Sequence, residues 1–336
     1  MPSAHIDTFA RDNLPPPDQL PVFLFDLPEL QFPEQLNCAS ELLDRHIEEG
    51  HGDRMCLRSP TVQWTYADLQ DKANRIAQVL VSDMGVVPGN RVLLHAPNNP
   101  MMVACWFAVI KAGAIAVATM PLLRAKELKA VIDKAEIRHA LCDASLSAEM
   151  QSAALQCPVL QKIRHFNDEG PDSLEVALER HSGAFANVAT AADDTCIIAF
   201  TSGTTGIPKA TMHFHRDVMA ACACWPRHVL RPTADDVFMG SPPLAFTFGA
   251  GWAGAVPHVG GGVHRTAGKS RAAPVAGRHC ALWRHRAGHR AHLVPHTGTT
   301  RHRAAQNPAQ ALRVGWRSLA RIHPCFVARG HGHRVD

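Results

Sequence analysis

Nine consecutive residues, 201–209, combine hydroxyls, glycines and a lysine in an order suited to holding phosphate: Thr-Ser-Gly-Thr-Thr-Gly-Ile-Pro-Lys. The two glycines allow the backbone to turn tightly and to point N–H groups inward. The four hydroxyls can donate hydrogen bonds to phosphate oxygens, and Lys209 adds a positive charge. An apolar stretch, 196–200, precedes the segment, as expected of a loop that follows a buried strand. The order does not align with the Walker A pattern, so a different phosphate-binding loop is predicted.

Histidines and cysteines just after this loop raise the possibility of a metal site. They are His213, His215, Cys222 and Cys224. Their H-x-H and C-x-C spacings are not standard for zinc, and one helix would splay the two cysteines apart. A packing role is therefore favoured, and no metal site is predicted.

The elements that must position the loop alternate between strands and helices. Residues 91–96 form a compact apolar stretch typical of a strand, 101–112 fit a helix that ends at a glycine, and 114–118 fit a second strand. A further helix at 126–135 and a strand at 139–142 continue the pattern. Such βαβ units require parallel strands covered by helices on both faces. The sequence predicts an α/β fold with a layered parallel sheet.

The residues before this region give weaker signals. Residues 1–35 are predicted to be an irregular, proline-rich lead-in, 37–49 a helix and 62–65 a short strand. Thr65 and Asp68 fit a capping box at the start of the next helix. One face of that helix is apolar, at Leu69, Ala73, Ile76, Ala77 and Leu80. A later helix is predicted at about 216–224.

A membrane location is disfavoured, although residues 101–120 are mostly apolar. Lys111 lies at the centre of this run, and a lysine is costly in the middle of a bilayer. The run is therefore interpreted as a buried helix followed by a buried strand. The ten cysteines form no C-x-x-C pair, and the first residues lack the pattern of a signal peptide. We expect a cytoplasmic protein.

The composition changes abruptly near residue 258. Residues 1–257 carry a net charge of −9, whereas residues 258–336 carry +13, with thirteen arginines, one lysine and eleven histidines. Three explanations compete: a nucleic-acid-binding tail, a histidine-rich metal segment, and translation in a changed reading frame. Natural basic tails use lysine freely and avoid tryptophan. Since this segment contains Trp283 and Trp316, the changed frame is favoured and nucleic-acid binding is disfavoured. No stable structure is expected in it.

Several segments together resemble the adenylate-forming (AMP-binding) superfamily, which includes acyl- and aryl-CoA ligases, and above all the benzoate- and 2-aminobenzoate-CoA ligases. The likeness covers about residues 30–250. The loop is similar to the phosphate-binding signature of that superfamily. The other matching segments are 64–69, 74–77, 88–92, 111–114 and 241–249.

This resemblance implies a two-step reaction on a small carboxylic acid. ATP with Mg²⁺ gives an acyl adenylate and pyrophosphate, and coenzyme A then displaces AMP. It assigns catalytic roles to Lys209 and to His215, a histidine that follows the loop at the start of a helix. It assigns Phe246 to an aromatic gate and Gly249 to the same acid-binding segment. Plain core packing remains an equal alternative for Phe246. The residues implied to hold the phosphates are Thr201, Ser202, Gly203, Thr204, Thr205, Gly206 and Lys209.

The same resemblance implies motifs that the sequence lacks after Gly249: an adenine-binding motif with tyrosine, an acidic ribose-binding motif and a C-terminal domain with a catalytic lysine. Tyr66 is the one tyrosine of the chain. Reading residues 250–258 one base later permits an apolar continuation of the last motif. Residues 36–257 are therefore expected to be a partial adenylation domain, truncated and inactive. The alternatives are a non-enzymatic nucleotide-binding fragment with a basic tail, and an adenylation unit with another acceptor.

Overall fold

A computed structural model of the chain describes residues 2–201, 208–234, 236–239 and 243–247, together with three short strands farther on. The chain divides into two units. One comprises Met1–Pro274 with His279–Val294, and the other comprises Val275–Arg278 with Pro295–Asp336. The elements that position the candidate site belong to the first unit.

Eight α-helices occur in the described residues: α1 Phe9–Asp12, α2 Arg45–Glu48, α3 Tyr66–Gln78, α4 Pro100–Lys111, α5 Ala125–Lys134, α6 Ser147–Ala154, α7 Leu174–Leu178 and α8 His215–Trp225. Single 3₁₀ turns lie at Pro17–Gln19, Pro28–Leu30 and Ala144–Leu146, and π-helical turns at Ser40–Asp44, Val79–Asp83 and Pro226–Leu230. The strands are β1 Met55–Arg58, β2 Gln63–Thr65, β3 Arg91–His95, β4 Ile115–Thr119, β5 His139–Asp143, β6 Lys162–Phe166, β7 Thr195–Thr201, β8 Lys209–Phe214, β9 Val237–Met239, β10 Val263–Arg265, β11 Cys280–Leu282 and β12 Leu293–Pro295.

The central sheet has six strands in the order β6-β5-β3-β4-β7-β8. All neighbours pair in parallel except β7 and β8, which are antiparallel. Alternate residues of β3 point to opposite faces: Val92 and Leu94 join the hydrophobic cluster built with α3 and α4, whereas Leu93 joins the cluster built with α5 and α6. The predicted parallel sheet with helices on both faces is therefore confirmed.

Helix α3 begins where the sequence predicts it. The Thr65 hydroxyl accepts a hydrogen bond from the Asp68 backbone N–H at 3.1 Å, and the Asp68 carboxylate accepts one from the Thr65 backbone N–H at 2.8 Å. This reciprocal pair is the predicted capping box. The apolar face of the helix is fully buried, at Leu69, Ala73, Ile76 and Ala77, and continues at Leu80 in the following π turn.

Other elements differ from the sequence prediction. The helix expected over 37–49 is present over 38–48, but Ser40–Asp44 within it has π-helical winding that leads into α2. Strand β10 lies in the segment for which no structure was expected, yet it pairs in parallel with both β1 and β9. Ladder pairing uses backbone N–H and C=O groups, which every residue except proline supplies, so composition alone did not predict it. In the part of the chain that the structure describes, no helix is long and apolar enough to cross a membrane.

Candidate active site

The predicted phosphate loop connects two paired strands. Thr201 ends β7 and lies opposite Lys209, the first residue of β8, so the two ends of the loop are held side by side. Both residues are exposed. Lys134 of α5 donates a hydrogen bond to the Pro208 carbonyl at 3.0 Å and fixes the exit of the loop. Outside the described residues lie Ser202, Gly203, Thr204, Thr205, Gly206 and Gly249.

A cavity of about 190 Å³ lies beside the same strand β7. Its walls come from α4, β4, β7, β8, α8 and the segment 244–247. The lining side chains are Trp106, Ala116, Ala118, Ile197, Ile198, Ala199, His213, Asp217, Val218, Ala221, Cys222, Leu244, Ala245, Phe246 and Thr247. Small residues on β4 and β7 leave the space that larger side chains would fill.

The segment 244–247 closes one side of the cavity. The Leu244 backbone N–H donates to Asn98 Oδ1 at 2.8 Å, which anchors the segment to the turn after β3. The Phe246 backbone N–H donates to the Pro243 carbonyl at 3.1 Å. Phe246 lines the cavity and is 39% exposed, so it is not a fully buried core residue. Plain core packing therefore does not describe this side chain, and its role as a gate stays a prediction.

Three polar side chains, His213, Asp217 and Thr247, interrupt the apolar wall, and hydrogen bonds orient the first two. A hydrogen bond of 3.3 Å joins His213 Nε2 to the Thr211 hydroxyl. One carboxylate oxygen of Asp217 accepts the Phe214 backbone N–H at 2.9 Å and thereby caps α8. Burial lowers the pKa of His213, and the negative charge of Asp217 opposes that shift. The cavity therefore offers a neutral imidazole and a carboxylate to a polar substituent on an otherwise apolar ligand.

His215 follows the loop at the start of a helix, as the resemblance implies. It is the first residue of α8 and is 1% exposed. Its Nδ1 accepts a hydrogen bond from the Cys38 backbone N–H at 3.1 Å, and its own backbone N–H donates to the Asp194 carbonyl at 3.3 Å. The side chain does not line the cavity. In the described residues it joins separate chain segments, and its catalytic role stays a prediction.

The four residues considered for a metal site do not come together. Within the described residues, the two groups of closely spaced possible ligands are Cys38 with Cys196 and His215, and His46 with Glu49 and His51. Of the four, only His215 belongs to either group. Sequence spacing could not reveal the first group, because its members are brought together from three distant segments.

Trp106, Ala118, His213 and Asp217 are cavity residues that sequence reasoning did not assign to an acid site. One signal was present: β4 is unusually rich in small residues for a buried strand, with alanine at 116 and 118. Alanine on one face of a strand leaves room beside it, although the pattern does not reveal which helix covers that space.

A largely parallel sheet covered on both faces, with a glycine- and hydroxyl-rich segment after an inner strand, is typical of α/β nucleotide-binding proteins. The sequence matches the AMP-binding enzyme family over residues 43–310. Because this match spans more than half of the chain, the chain belongs to that family. The matched region extends beyond residue 258, where the composition changes.

Relatives and solved structures agree with this membership. The chain is 27% identical to benzoate–CoA ligase of Thauera aromatica over 67% of its own length and 42% of the relative. It resembles the anthranilate CoA ligase AuaEII in complex with anthranoyl-AMP, with a TM-score of 0.67, 23% identity, and coverage of 71% and 45% of the two chains. ATP-bound MatB from Rhodopseudomonas palustris gives a TM-score of 0.62 at 26% identity, covering 68% and 44%. The chain spans less than half of the length of each of these proteins.

Proposed function

We propose that this chain supplies the ATP- and acid-binding part of an acid–CoA ligase. In this proposal an aromatic carboxylic acid is first converted to an acyl adenylate and then to a coenzyme A thioester. The observation that carries the proposal is that one strand, β7, both lines the apolar cavity and leads into the phosphate loop. Family membership and the relatives named above support the reaction class.

The distance along β7 suits the first step. Ala199 lines the cavity and Thr201 begins the loop, and two residues of extended strand span about 7 Å. An acid whose ring lies beside Ala199 would therefore direct its carboxylate toward a phosphate held at the loop. Attack of a carboxylate oxygen on the α-phosphorus forms the acyl adenylate and expels pyrophosphate.

The size and polarity of the cavity support an aromatic acid. An apolar cavity of about 150 Å³ is large enough to bind benzene. The present cavity of about 190 Å³ has room for one substituted ring, and it has too little for a long acyl chain. Phe246 offers an aromatic wall, and His213 and Asp217 can receive an amino or hydroxyl substituent of the ring. The benzoate ligase and the anthranilate ligase named above act on acids of this kind.

In this proposal the chain catalyses by positioning and by neutralising charge. Lys209 and the hydroxyls of the loop would stabilise the negative charge that moves onto the β- and γ-phosphates as pyrophosphate leaves. The proposed phosphate contacts are Thr201, Ser202, Gly203, Thr204, Thr205, Gly206 and Lys209. Mg²⁺ would enter as the counter-ion of the ATP phosphates, where the exposed hydroxyl at the end of β7 offers one described oxygen.

The remaining predicted residues are proposed to act around the acid. Phe246 and Gly249 would border its ring. His215 would act as a positioning residue, because its ring orders the backbone at Cys38 and does not reach the cavity. The second step, in which the coenzyme A thiol attacks the acyl carbonyl and AMP leaves, would need the part of the ligase that these relatives possess beyond the matched region.

The proposal is tested by comparing ligand binding to the chain with ligand binding to a variant in which a larger side chain fills the cavity. Isothermal titration calorimetry in the presence of ATP should detect binding of benzoate and 2-aminobenzoate to the chain. Ala118→Leu places three extra carbon atoms in the cavity and should abolish this binding, whereas Ala130→Leu, on the exposed face of α5, should leave it unchanged. Equal binding by both variants, or a preference for a long-chain fatty acid, would contradict the proposed substrate class.

A further inference from the structure

Two cysteines from distant parts of the chain meet a histidine in the interior, outside the cavity described above. Cys38 Sγ, Cys196 Sγ and a ring nitrogen of His215 all lie within 4.8 Å of one another. Neither cysteine is exposed, and the histidine is 1% exposed. Cys38 lies just before the π turn at Ser40–Asp44, Cys196 is the second residue of β7, and His215 begins α8. The adenylation reaction proposed above uses neither thiol.

The imidazole distinguishes the two thiols. His215 Nδ1 accepts the Cys38 backbone N–H at 3.1 Å and lies 3.3 Å from Cys38 Sγ, so the ring is in direct contact with this thiol. Burial by itself raises the pKa of Cys38, but a hydrogen bond from Cys196 and the charge and hydrogen bond of His215 outweigh burial and lower that pKa to about 6. Burial raises the pKa of Cys196 well above its usual value. Cys38 is therefore the more acidic thiol of the pair.

We propose that Cys38 and Cys196 are a redox-active pair that hydrogen peroxide converts to a disulfide. The Cys38 sulfur attacks one peroxide oxygen as it gives up its thiol proton, the O–O bond breaks, and the departing hydroxide takes that proton to become water. Cys38 is then a sulfenic acid. The Cys196 sulfur attacks the Cys38 sulfur, the S–O bond breaks, and the departing hydroxide takes the Cys196 proton to form a second water. In sum, two thiols lose two electrons and two protons, and one peroxide becomes two waters.

A metal ion fits this cluster less well than a disulfide does. The His215 nitrogen nearest to Cys38 Sγ already accepts the Cys38 backbone N–H, so its lone pair is not open to a metal. A closed structural zinc site also takes four ligands, and the group in the described residues has three. The two sulfurs, by contrast, need no further partner to bond to each other.

A second cavity lies near the pair, although neither cysteine lines it. It has a volume of about 590 Å³ and is lined by Leu36, two residues before Cys38, and by Cys222 of α8. Cys222 interacts electrostatically with Cys38, which places the wall of this cavity close to the thiols. Hydrogen peroxide is not much larger than water, whereas glutathione is far too bulky for the interior. The pair should therefore respond to peroxide and resist glutathionylation.

The experiment maps disulfides in the folded chain. The reduced protein is treated with one equivalent of hydrogen peroxide, the remaining thiols are blocked with N-ethylmaleimide, and peptides are identified by mass spectrometry. We expect a linked peptide pair containing Cys38 and Cys196, lighter by two hydrogen atoms and cleaved by dithiothreitol. Cys38→Ser should abolish the linkage, and Cys224→Ser, at a partly exposed cysteine of α8, should retain it. The wild-type map remains informative even where a variant fails to fold.

Several outcomes would overturn the proposal. They are a stable sulfinic acid at Cys38 without a linkage, a disulfide that pairs either cysteine with another partner, and no oxidation of the pair while other cysteines react. Stoichiometric zinc that protects both reduced thiols from N-ethylmaleimide would replace the redox pair with a metal site. The same treatment in urea should give a mixture of linkages among the ten cysteines, because the pairing depends on the fold.

Discussion

The ammonium group of Lys111 donates hydrogen bonds to both carboxylate oxygens of Asp44, at 2.5 Å and 2.6 Å. This contact accounts for a lysine at the centre of the apolar run 101–120: its side chain is 1% exposed and has an ionic partner that is 67 residues away. Burial lowers the pKa of Lys111, and the charge of Asp44 opposes that shift. Gln70 and Asn187 donate further hydrogen bonds to the same carboxylate, so its oxygens are fully used.

Asp44→Asn should destabilise the fold strongly. Removing one partner of a buried ion pair leaves an uncompensated charge and typically costs about 3–5 kcal/mol. Urea denaturation of the variant should show this loss, and adding Lys111→Met should recover part of it. The matched control is Asp133→Asn, which breaks the exposed Lys129–Asp133 pair. We expect that change to be much smaller, and equal losses at the two sites would refute the importance of the buried pair.

A substitution at Gly89 should loosen the N-terminal segment. Its φ of +89° is in the left-handed region, and an added Cβ would lie 2.2 Å from the Asp7 backbone oxygen. Gly89→Ala should therefore displace Asp7, which accepts hydrogen bonds from Asn90 and Arg91. Faster tryptic cleavage after Arg11 and a lower urea midpoint would show this.

Gly50→Ala is the control for that substitution. Gly50 has a φ of +80° but nothing within 4 Å of an added Cβ. It should show only the conformational cost, about 1–2 kcal/mol. If the two alanine variants lose the same stability and are cleaved at the same rate, contact with Asp7 is unimportant.

Stability should fall as the pH decreases from about 6.5 to about 4. Burial lowers the pKa of His95 from 6.5 to about 4, so between these values the unfolded chain binds a proton that the folded chain does not. Such a shift corresponds to roughly 3 kcal/mol of stability at neutral pH, lost on acidification. Burial also lowers the pKa values of His139 and His165, so both residues add to the loss of stability on acidification.

Denaturation midpoints measured between pH 4 and pH 7 test this. His95→Gln should flatten the dependence on pH, whereas His228→Gln, which breaks an exposed pair with Glu29, should change it much less. A pH dependence of equal slope in wild type and His95→Gln would show that the proton uptake occurs elsewhere.

Lys209→Met should slow adenylation and spare the thioester step. A charge-assisted hydrogen bond contributes about 1.5–3 kcal/mol, so loss of this contact to the departing pyrophosphate should lower the rate roughly ten- to a hundredfold. Pyrophosphate release measures the first step, and thioester formation from pre-made acyl adenylate measures the second. Both assays require the ligase that is translated after the reading frame near codon 250 has been restored. Lys126→Met, at an exposed position of α5, is the control.

Thr204→Ala should cost less than Lys209→Met, because a neutral hydroxyl contact contributes only about 1 kcal/mol. Equal losses in both half-reactions, with unchanged stability, would count against a role specific to pyrophosphate.

The coding DNA should reveal the origin of the composition change near residue 258. If the changed reading frame is correct, restoring the frame near codon 250 will uncover the tyrosine-containing and acidic motifs that the family resemblance implies. Uniform codon usage across this point, without those motifs in another frame, would instead make the basic segment a genuine part of the protein. The family match to residue 310 and the pairing of β10 with β1 make this a necessary test.

Local spacing was sufficient for much of the fold. The strands β3, β4 and β5, the helices α3, α4 and α5 and the capping box of Thr65 and Asp68 lie within a residue or two of their predicted positions. Strand β6 and strand β8 were missed. Residues 162–166 carry mostly polar side chains near the surface, so they gave no apolar strand signal. Residues 209–214 alternate between polar and apolar side chains, so a signal for β8 was present in the sequence.

The sequence by itself determined the α/β class, the family and the order of the phosphate loop, because each of these depends on residues close together in the chain. Tertiary structure alone decided which side chains meet across long separations. It placed His213 and Asp217 beside Trp106 in one cavity, and it buried Lys111 against Asp44. It also brought Cys38 and Cys196 to His215. Helix and strand periods dictate which face a residue occupies, but only packing decides which other face covers it.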